Sequence, residues 1–208
     1  MNLEQLRDLA YQHLGSRKAH QDRELGFIYY HGQRVAKIAV KLRQQVLPDD
    51  DSHDPELIAA AYFHDIAKGI EPHAIYGSVI VREILADHCT PEQLDRICKL
   101  IRYHQFRDHT KGYDDHIKIL QDADILDHLG VVEIWMNFHH YAYREGTLRD
   151  SVKFYETEYR KLADRMRGAL NYEVSKRIFD EKHRFVLAFA ERMAVEAEGG
   201  LVNFPENG

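Results

Sequence analysis

The feature that most constrains this chain is a repeated defect in its hydrophobic pattern. Apolar residues recur every three or four positions in segment after segment, the period of a helix with one buried face. Several of those faces are broken by a histidine or an aspartate. From Phe27 the inward face reads Phe27/Ile28, His31, Val35, Ile38, Leu42 and Val46. A second reads Leu57, Ala60/Ala61, His64 and Lys68, with Ile58, Ala61/Tyr62 and Asp65 beside it. A third runs Ile97, Leu100/Ile101, His104, and a fourth Ile117, Leu120, Asp124, Asp127/His128. His73 likewise precedes Tyr76/Gly77, Ile80 and Ile84 on one face. Taken singly, an inward histidine is more often a satisfied core residue, and an inward aspartate a cap or an ion-pair partner. When several faces break this way, the groups need partners, because an unpaired buried carboxylate is costly. One divalent cation would partner all of them. Neighbouring helical residues such as His64 and Asp65 point about 100° apart and reach one ion only near a kink or a helix end. Gly69 puts such an end within a turn or so. Imidazole with carboxylate suits Mn, Fe, Co, Ni or Zn rather than calcium.

No segment shows the strict alternation of a strand, so the expected fold class is all-α, with about seven helices. The first covers roughly Asn2 to Leu14 and the second about Gln21 to Val46. A third starts with Asp54 as N-cap and Pro55 at the first helical position, and stops near Lys68-Gly69. Pro72 opens a fourth reaching about His88. Thr90-Pro91-Glu92-Gln93 reads as a capping box for a fifth, ending near His104. After a loop over 105–114, a sixth begins near Asp115, with a break marked by Gly130. Two long helices follow, near Asp150 to Arg167 and Asn171 to Glu198. The expected organisation is a core over 1–148, a C-terminal helical pair over 149–198 packed on it, and a frayed tail over 199–208. In the pair, Phe154, Tyr155, Tyr159, Leu162, Val174, Ile178, Phe185, Val186 and Phe189 fall at core-packing spacing.

Charge and composition exclude several classes. A formal net charge of -6 without clustered Lys/Arg disfavours nucleic-acid binding. No apolar run approaches the roughly 18 residues needed to span a bilayer, and the N-terminal segment lacks a secretory pattern. Cys89 and Cys98 are too far apart for a CxxC site and make no disulfide framework. The expected compartment is therefore the cytoplasm. A small anionic substrate held by a few local cations is compatible with this balance. Histidine is abundant, 14 of 208 residues, so position must discriminate among them.

Five ordered blocks carry a resemblance: H-x-x-R-V from His31, A-A-Y-F-H-D-I-A-K-G from Ala60, H-A-I-Y-G from His73, I-R-Y-H from Ile101 and D-A-D-I-L-D from Asp122. Together they resemble the HD-domain phosphohydrolase superfamily over roughly residues 20–130. F-Y-x-x-x-Y-R-K-L and E-K-H-R-F extend the likeness, to small stand-alone bacterial members, to about residue 195. The resemblance implies a helical core around one metal ligated by His31, His64, Asp65 and Asp124. His73 and His104 match positions recruited by members with a second metal. With one ion, they would instead line the site and contact phosphate or water.

The implied reaction is metal-dependent phosphohydrolysis of a nucleotide or related small phosphate ester. Release of pyrophosphate from a (deoxy)nucleoside triphosphate is one concrete version. Asp65, Lys68 and Asp127 are the expected catalytic residues. Lys68, one turn beyond His64, is the leading phosphate clamp, its bland alternative being a cation on a helix C-terminus. Asp127 would orient a ligand or act as general base. Arg34 either contacts substrate or pairs with a neighbouring carboxylate, and Arg107 belongs to a cationic loop with His109 and Lys111. His128, His139 and His140 are read as structural or surface residues. Two rivals share the scaffold: a di-iron oxygenase, which needs His73 and His104 as ligands, and a non-catalytic nucleotide- or metal-binding module. Oligomeric state is not readable from the chain.

Overall fold

The computed structural model describes residues 1–201, and those residues form ten helices and no strands. They are α1 (Leu3–Leu14), α2 (Phe27–Val46), α3 (Asp54–Phe63), α4 (His73–Ile84), α5 (Pro91–Tyr103), α6 (Asp115–Asp127), α7 (Val131–Tyr143), α8 (Leu148–Thr157), α9 (Tyr159–Gly168) and α10 (Glu173–Ala197). The all-α expectation is met. Most of the tail expected over 199–208 lies outside the described residues. No helix among them is long and apolar enough to cross a membrane.

The helix ends follow local chemistry. Thr90 and Gln93 form the capping box of α5, with Pro91 in its first turn. Asp114 caps α6 by accepting from the Ile117 amide at 3.1 Å. Several expected ends shift, and α3 stops at Phe63 instead of near Lys68-Gly69. α2 begins at Phe27 rather than Gln21, because Gly26 takes a left-handed conformation (φ 76°) that stops the helix from extending backwards. α4 starts one residue late, at His73, and ends at Ile84 instead of near His88. Asp54 is the first helical residue of α3 rather than its cap, and its carboxylate takes the Arg43 guanidinium at 2.8 and 2.6 Å. Gly130 does separate α6 from α7. The expected helix over 150–167 is two helices, broken at Glu158, where the Thr157 hydroxyl donates back to the Lys153 carbonyl at 2.8 Å. Such back-bonding bends helices.

The site is positioned by α2, which packs against both α3 and α6, while α5 packs on α3 and α4. A Cβ on Gly32 would lie 2.9 Å from the carbonyl oxygens of both Ala61 and Tyr62, so only glycine permits this approach of α2 to α3. It brings the neighbouring His31 up to His64. The core is Leu57, Ala60, Phe63, Ile97, Ile101, Leu120 and their neighbours.

α10 packs on α2, α6, α7, α8 and α9. Asp122 accepts from the amides of Asn171 at 2.8 Å and Tyr172 at 3.1 Å, tying the start of α10 to α6. Lys182 donates to the Leu126 carbonyl at 2.7 Å, where a cation meets the C-terminal end of α6. Of the expected C-terminal stripe, Tyr155, Tyr159 and Val186 are buried, but Ile178 and Phe185 are exposed. The period was right for a helix. Which flank of α10 is covered depends on where α2, α6 and α8 sit.

Candidate metal centre

The broken faces converge. α3 ends at Phe63, so His64 and Asp65 lie in the turn that follows, where two adjacent side chains can face one point. Arg17 fixes that turn from outside by donating to the carbonyls of Ile66 and Lys68. His31 arrives from α2, His73 from the first residue of α4, His104 from the C-terminal end of α5, and Asp124 from α6. All of them are buried.

The protonation pattern of the imidazoles gives the site its character. His31 Nδ1 donates to Asp127 Oδ2 at 2.7 Å, His64 Nδ1 to the Ala61 carbonyl at 2.8 Å, and His104 Nδ1 to the Ile101 carbonyl at 2.7 Å. His73 Nδ1 donates to the Glu71 carboxylate at 3.0 Å. Those partners only accept, so in each neutral ring the proton sits on Nδ1 and Nε2 is a bare lone pair. The Nε2 atoms turn inward. His31 Nε2 faces His64 Nε2 at 3.1 Å and Asp124 Oδ1 at 3.3 Å. His73 Nε2 lies 3.2 Å from Asp65 Oδ1 with no hydrogen bond between them. His104 Nε2 is 3.8 Å from the same oxygen.

This is a buried nest of acceptors, and its missing partner is positive. A proton serves one member only. Burial disfavours charge on His31, yet hydrogen bonds to Asp124 and Asp127 outweigh it and push its pKa up to about 9. Burial and the neighbouring His64 hold His104 down at about 3, and burial likewise lowers His64. Burial opposes ionisation of both carboxylates. Even so, His64 and His73 keep Asp65 well below its usual range, and His128, His31 and Arg107 do the same for Asp124. The residues thus fit a divalent cation. Donor atoms lie within 4.8 Å of one another in four sets: His31–His64–Asp65, Asp65–His73–His104, His64–His104–Asp124 and His31–Asp124–His128.

Around this nest the other expected residues take definite places. Asp127 holds His31 through Oδ2 and receives Arg34 through two bonds, at 2.8 and 3.0 Å. Arg34 therefore lies on a carboxylate, the second of its two expected roles, and Asp127 sits behind a histidine, where it fixes that ring's orientation. Lys68 Nζ is 3.3 Å from Asp65 Oδ2. Arg107 donates to Asp124 Oδ2, while its Nε is buried without a partner. His109, from the same loop, turns away to the Gly168 carbonyl at 3.0 Å.

Two cavities open on the centre. One, of about 330 Å³, is lined by Lys68, His73, His104, Arg107, Asp124, His128 and Arg165 among others. The second, of about 460 Å³, shares Lys68, His128 and Met166 with it and runs on past Phe27 to Glu133 and Asn137. His128 was expected to be structural, yet its Nε2 is 3.5 Å from Asp124 Oδ1 and its ring lies 4.7 Å from that of His31. Its signal was available, since His128 follows Asp124 by one helical turn. Glu133 and Asn137 belong to none of the five sequence blocks; their signal is that both interrupt the apolar run Val131–Phe138 at a four-residue spacing.

A helical core with one buried His/Asp cluster is the architecture of HD domains, and residues 28–129 match the HD-domain family model. The chain is an HD-domain protein. No curated protein matches it in sequence. Its fold is similar to that of Bacillus subtilis YpgQ in complex with ADP, with TM-score 0.66 and 20% identity over 95% of this chain and 99% of that one. An HD-superfamily hydrolase from Bacillus thuringiensis aligns with TM-score 0.64 and 22% identity, covering 94% of this chain and 96% of that one. The Lin1889 protein of Listeria innocua aligns with TM-score 0.61 and 20% identity over 95% and 98% of the two chains.

Proposed function

We propose that this protein is a metal-dependent phosphohydrolase acting on a nucleotide or a related small phosphate ester. The observation that carries the reading is the inward ring of bare Nε2 atoms and carboxylates, rimmed by Lys68, Arg107 and Arg165 at the mouth of a cavity. His31, His64, Asp65 and Asp124 would hold the ion. Bound there, a divalent transition metal lowers the pKa of water and polarises a phosphoryl oxygen. Lys68 and Arg107 would supply fixed positive charge for phosphate oxygens beside that centre. Asp127 holds His31 in the tautomer that leaves Nε2 free. The ADP bound by YpgQ supports a nucleotide as the substrate class. Pyrophosphate release from a nucleoside triphosphate is the specific reaction we favour.

One observation favours a second reading. Asp65 belongs to two donor sets, one with His31 and His64 and another with His73 and His104. Asp65 would then be common to two adjacent ion sites, and a di-iron oxygenase would need both, with His73 and His104 as ligands. Incubation with Mn²⁺ or with EDTA across a nucleotide panel, with products separated by mass, decides between them. Metal-dependent cleavage is the expected result, and pyrophosphate against orthophosphate locates the bond. No turnover of any phosphate compound by the metal-loaded protein would overturn the proposal. A visible absorption band in an iron-loaded aerobic sample would then point to the oxygenase.

A further inference from the structure

The larger cavity contains polar groups that the phosphate chemistry does not use. Asn137 is 7% exposed and Glu133 is 6% exposed, and both line it from one face of α7, a helical turn apart. Asn137 Oδ1 is buried without a hydrogen-bond partner among the described residues. The Glu133 carboxylate accepts one bond, from the Tyr155 hydroxyl at 3.0 Å, and no cation among the described residues pairs with it. Burial accordingly pushes the Glu133 pKa up to about 7 despite that bond. Buried acceptors left without a donor are costly, and a ligand bearing N–H donors relieves that cost. The walls beside them are apolar, formed by Phe27, Met136, Leu162 and Met166. A flat heterocycle fits such a slot. The volume, about 460 Å³, lies within the usual range of small-molecule sites.

We propose that this cavity is a nucleobase subsite in which Asn137 and Glu133 read the Watson–Crick edge of a purine and select guanine. The inference rests on the nucleotide reading above and deepens it. Guanine presents neighbouring N1–H and N2–H donors to the Glu133 carboxylate, and the second N–H of its N2 amino group is a donor for Asn137 Oδ1, the acceptor that lacks a partner. Adenine offers one amino donor beside a bare N1, so an ionised Glu133 carboxylate faces a lone pair, and only the protonated carboxyl would complement adenine. Lost complementarity of that kind discriminates far more strongly than shape, because it strands buried polar groups. The location also agrees with the chemistry. The two cavities meet at Lys68, His128 and Met166, so one molecule can hold its base against α7 and its phosphates over the His/Asp cluster.

The test is calorimetric titration of the metal-loaded full chain, well above pH 7 so that the Glu133 carboxyl is ionised, with guanosine and with adenosine, probes that carry no phosphate. The variants are Asn137→Ala and Glu133→Gln, each first checked for helicity and melting temperature. Wild type is expected to bind guanosine at least tenfold more tightly than adenosine, and each variant to lose most of that preference. In Glu133→Gln, the amide can still accept from Tyr155, so loss of preference there reports recognition rather than collapse. Equal binding of both nucleosides by wild type, no binding of either, or an unchanged preference in folded variants would overturn the proposal. Guanosine preference in a protein that hydrolyses no phosphate compound would uphold the subsite and sink the phosphohydrolase reading. Hydrolysis without base preference would do the reverse.

Discussion

His31 and His64 point their Nε2 atoms at each other across 3.1 Å, and each has its Nδ1 proton already donated elsewhere. Two lone pairs at that distance repel unless something positive lies between or beside them. Asp65 and Asp124 add negative charge to the same space. The arrangement persists in a folded protein because the helices that present these groups are packed from behind.

Metal removal is therefore expected to cost stability. A ligand present at 100 times its dissociation constant adds about 2.7 kcal/mol. For a chain of this length that corresponds to roughly 5–10 °C in melting temperature. Adding Mn²⁺ to EDTA-treated protein should restore the shift, read by circular dichroism. His64→Ala should retain its helicity and lose bound metal in inductively coupled plasma analysis. Unchanged metal stoichiometry in that variant would show that the ligands lie elsewhere.

Lys68 stands between the two cavities, with its ammonium near Asp65. Lys68→Ala is expected to lower kcat/KM for a nucleotide by about 100-fold, the equivalent of roughly 2.7 kcal/mol, while metal content stays at the wild-type level. A variant with both kcat and KM intact would remove the phosphate-clamp role.

The Glu133 carboxyl gives a pH signature of stability. Its folded pKa is about 7 against a usual 4.5, so the folded state holds the proton more tightly than the unfolded chain. Below the lower value the group contributes no penalty. As pH rises through the interval the penalty grows, and above the upper value it reaches about 3 kcal/mol at most. Glu133→Gln should thus gain stability relative to wild type between pH 5 and pH 8, measured as the difference in urea unfolding free energy. A difference that does not vary with pH would show that the carboxyl titrates normally.

Gly32 controls the approach of α2 to α3. A Cβ there meets two backbone carbonyls at 2.9 Å, and backbone cannot swing aside. Gly32→Ala is expected to cost about 1–3 kcal/mol by overpacking and to weaken metal binding by separating His31 from His64. Wild-type melting temperature and metal affinity together would show that the contact yields easily.

Which residues turn inward was readable along the chain, because a helix repeats its face every three or four residues whatever it packs against. His31, His64, Asp65, His104 and Asp124 were identifiable on that basis, and the HD likeness added their order. A helix end close to His64 and Asp65 was inferable too, since they could not otherwise share a target, but Gly69 pointed to an end near Lys68-Gly69 and the helix stops earlier, at Phe63. The partner of each group was not readable in the same way. Arg34 could have faced substrate or a carboxylate, and the packing of α2 on α6 put it on Asp127. His128 reads as a structural or surface residue because an exposed and a half-buried position of one helix look alike until α2 covers the latter. Glu133 and Asn137 gain their meaning from Phe27 and Leu162, residues that lie more than a hundred and some twenty-five positions away from them at the extremes of the cavity.

By itself the sequence determined helix type, most helix ends and most of the inward-facing side chains of the core helices, though not those of α10, where Ile178 and Phe185 are exposed. These depend on periodicity and capping within a few residues of each position. Only the tertiary structure decided which nitrogen of each histidine is free, which cations are already paired, and that two cavities join at Lys68 and His128. Those properties arise where helices distant in the chain meet, and the close α2–α3 contact at Gly32 sets how near they come.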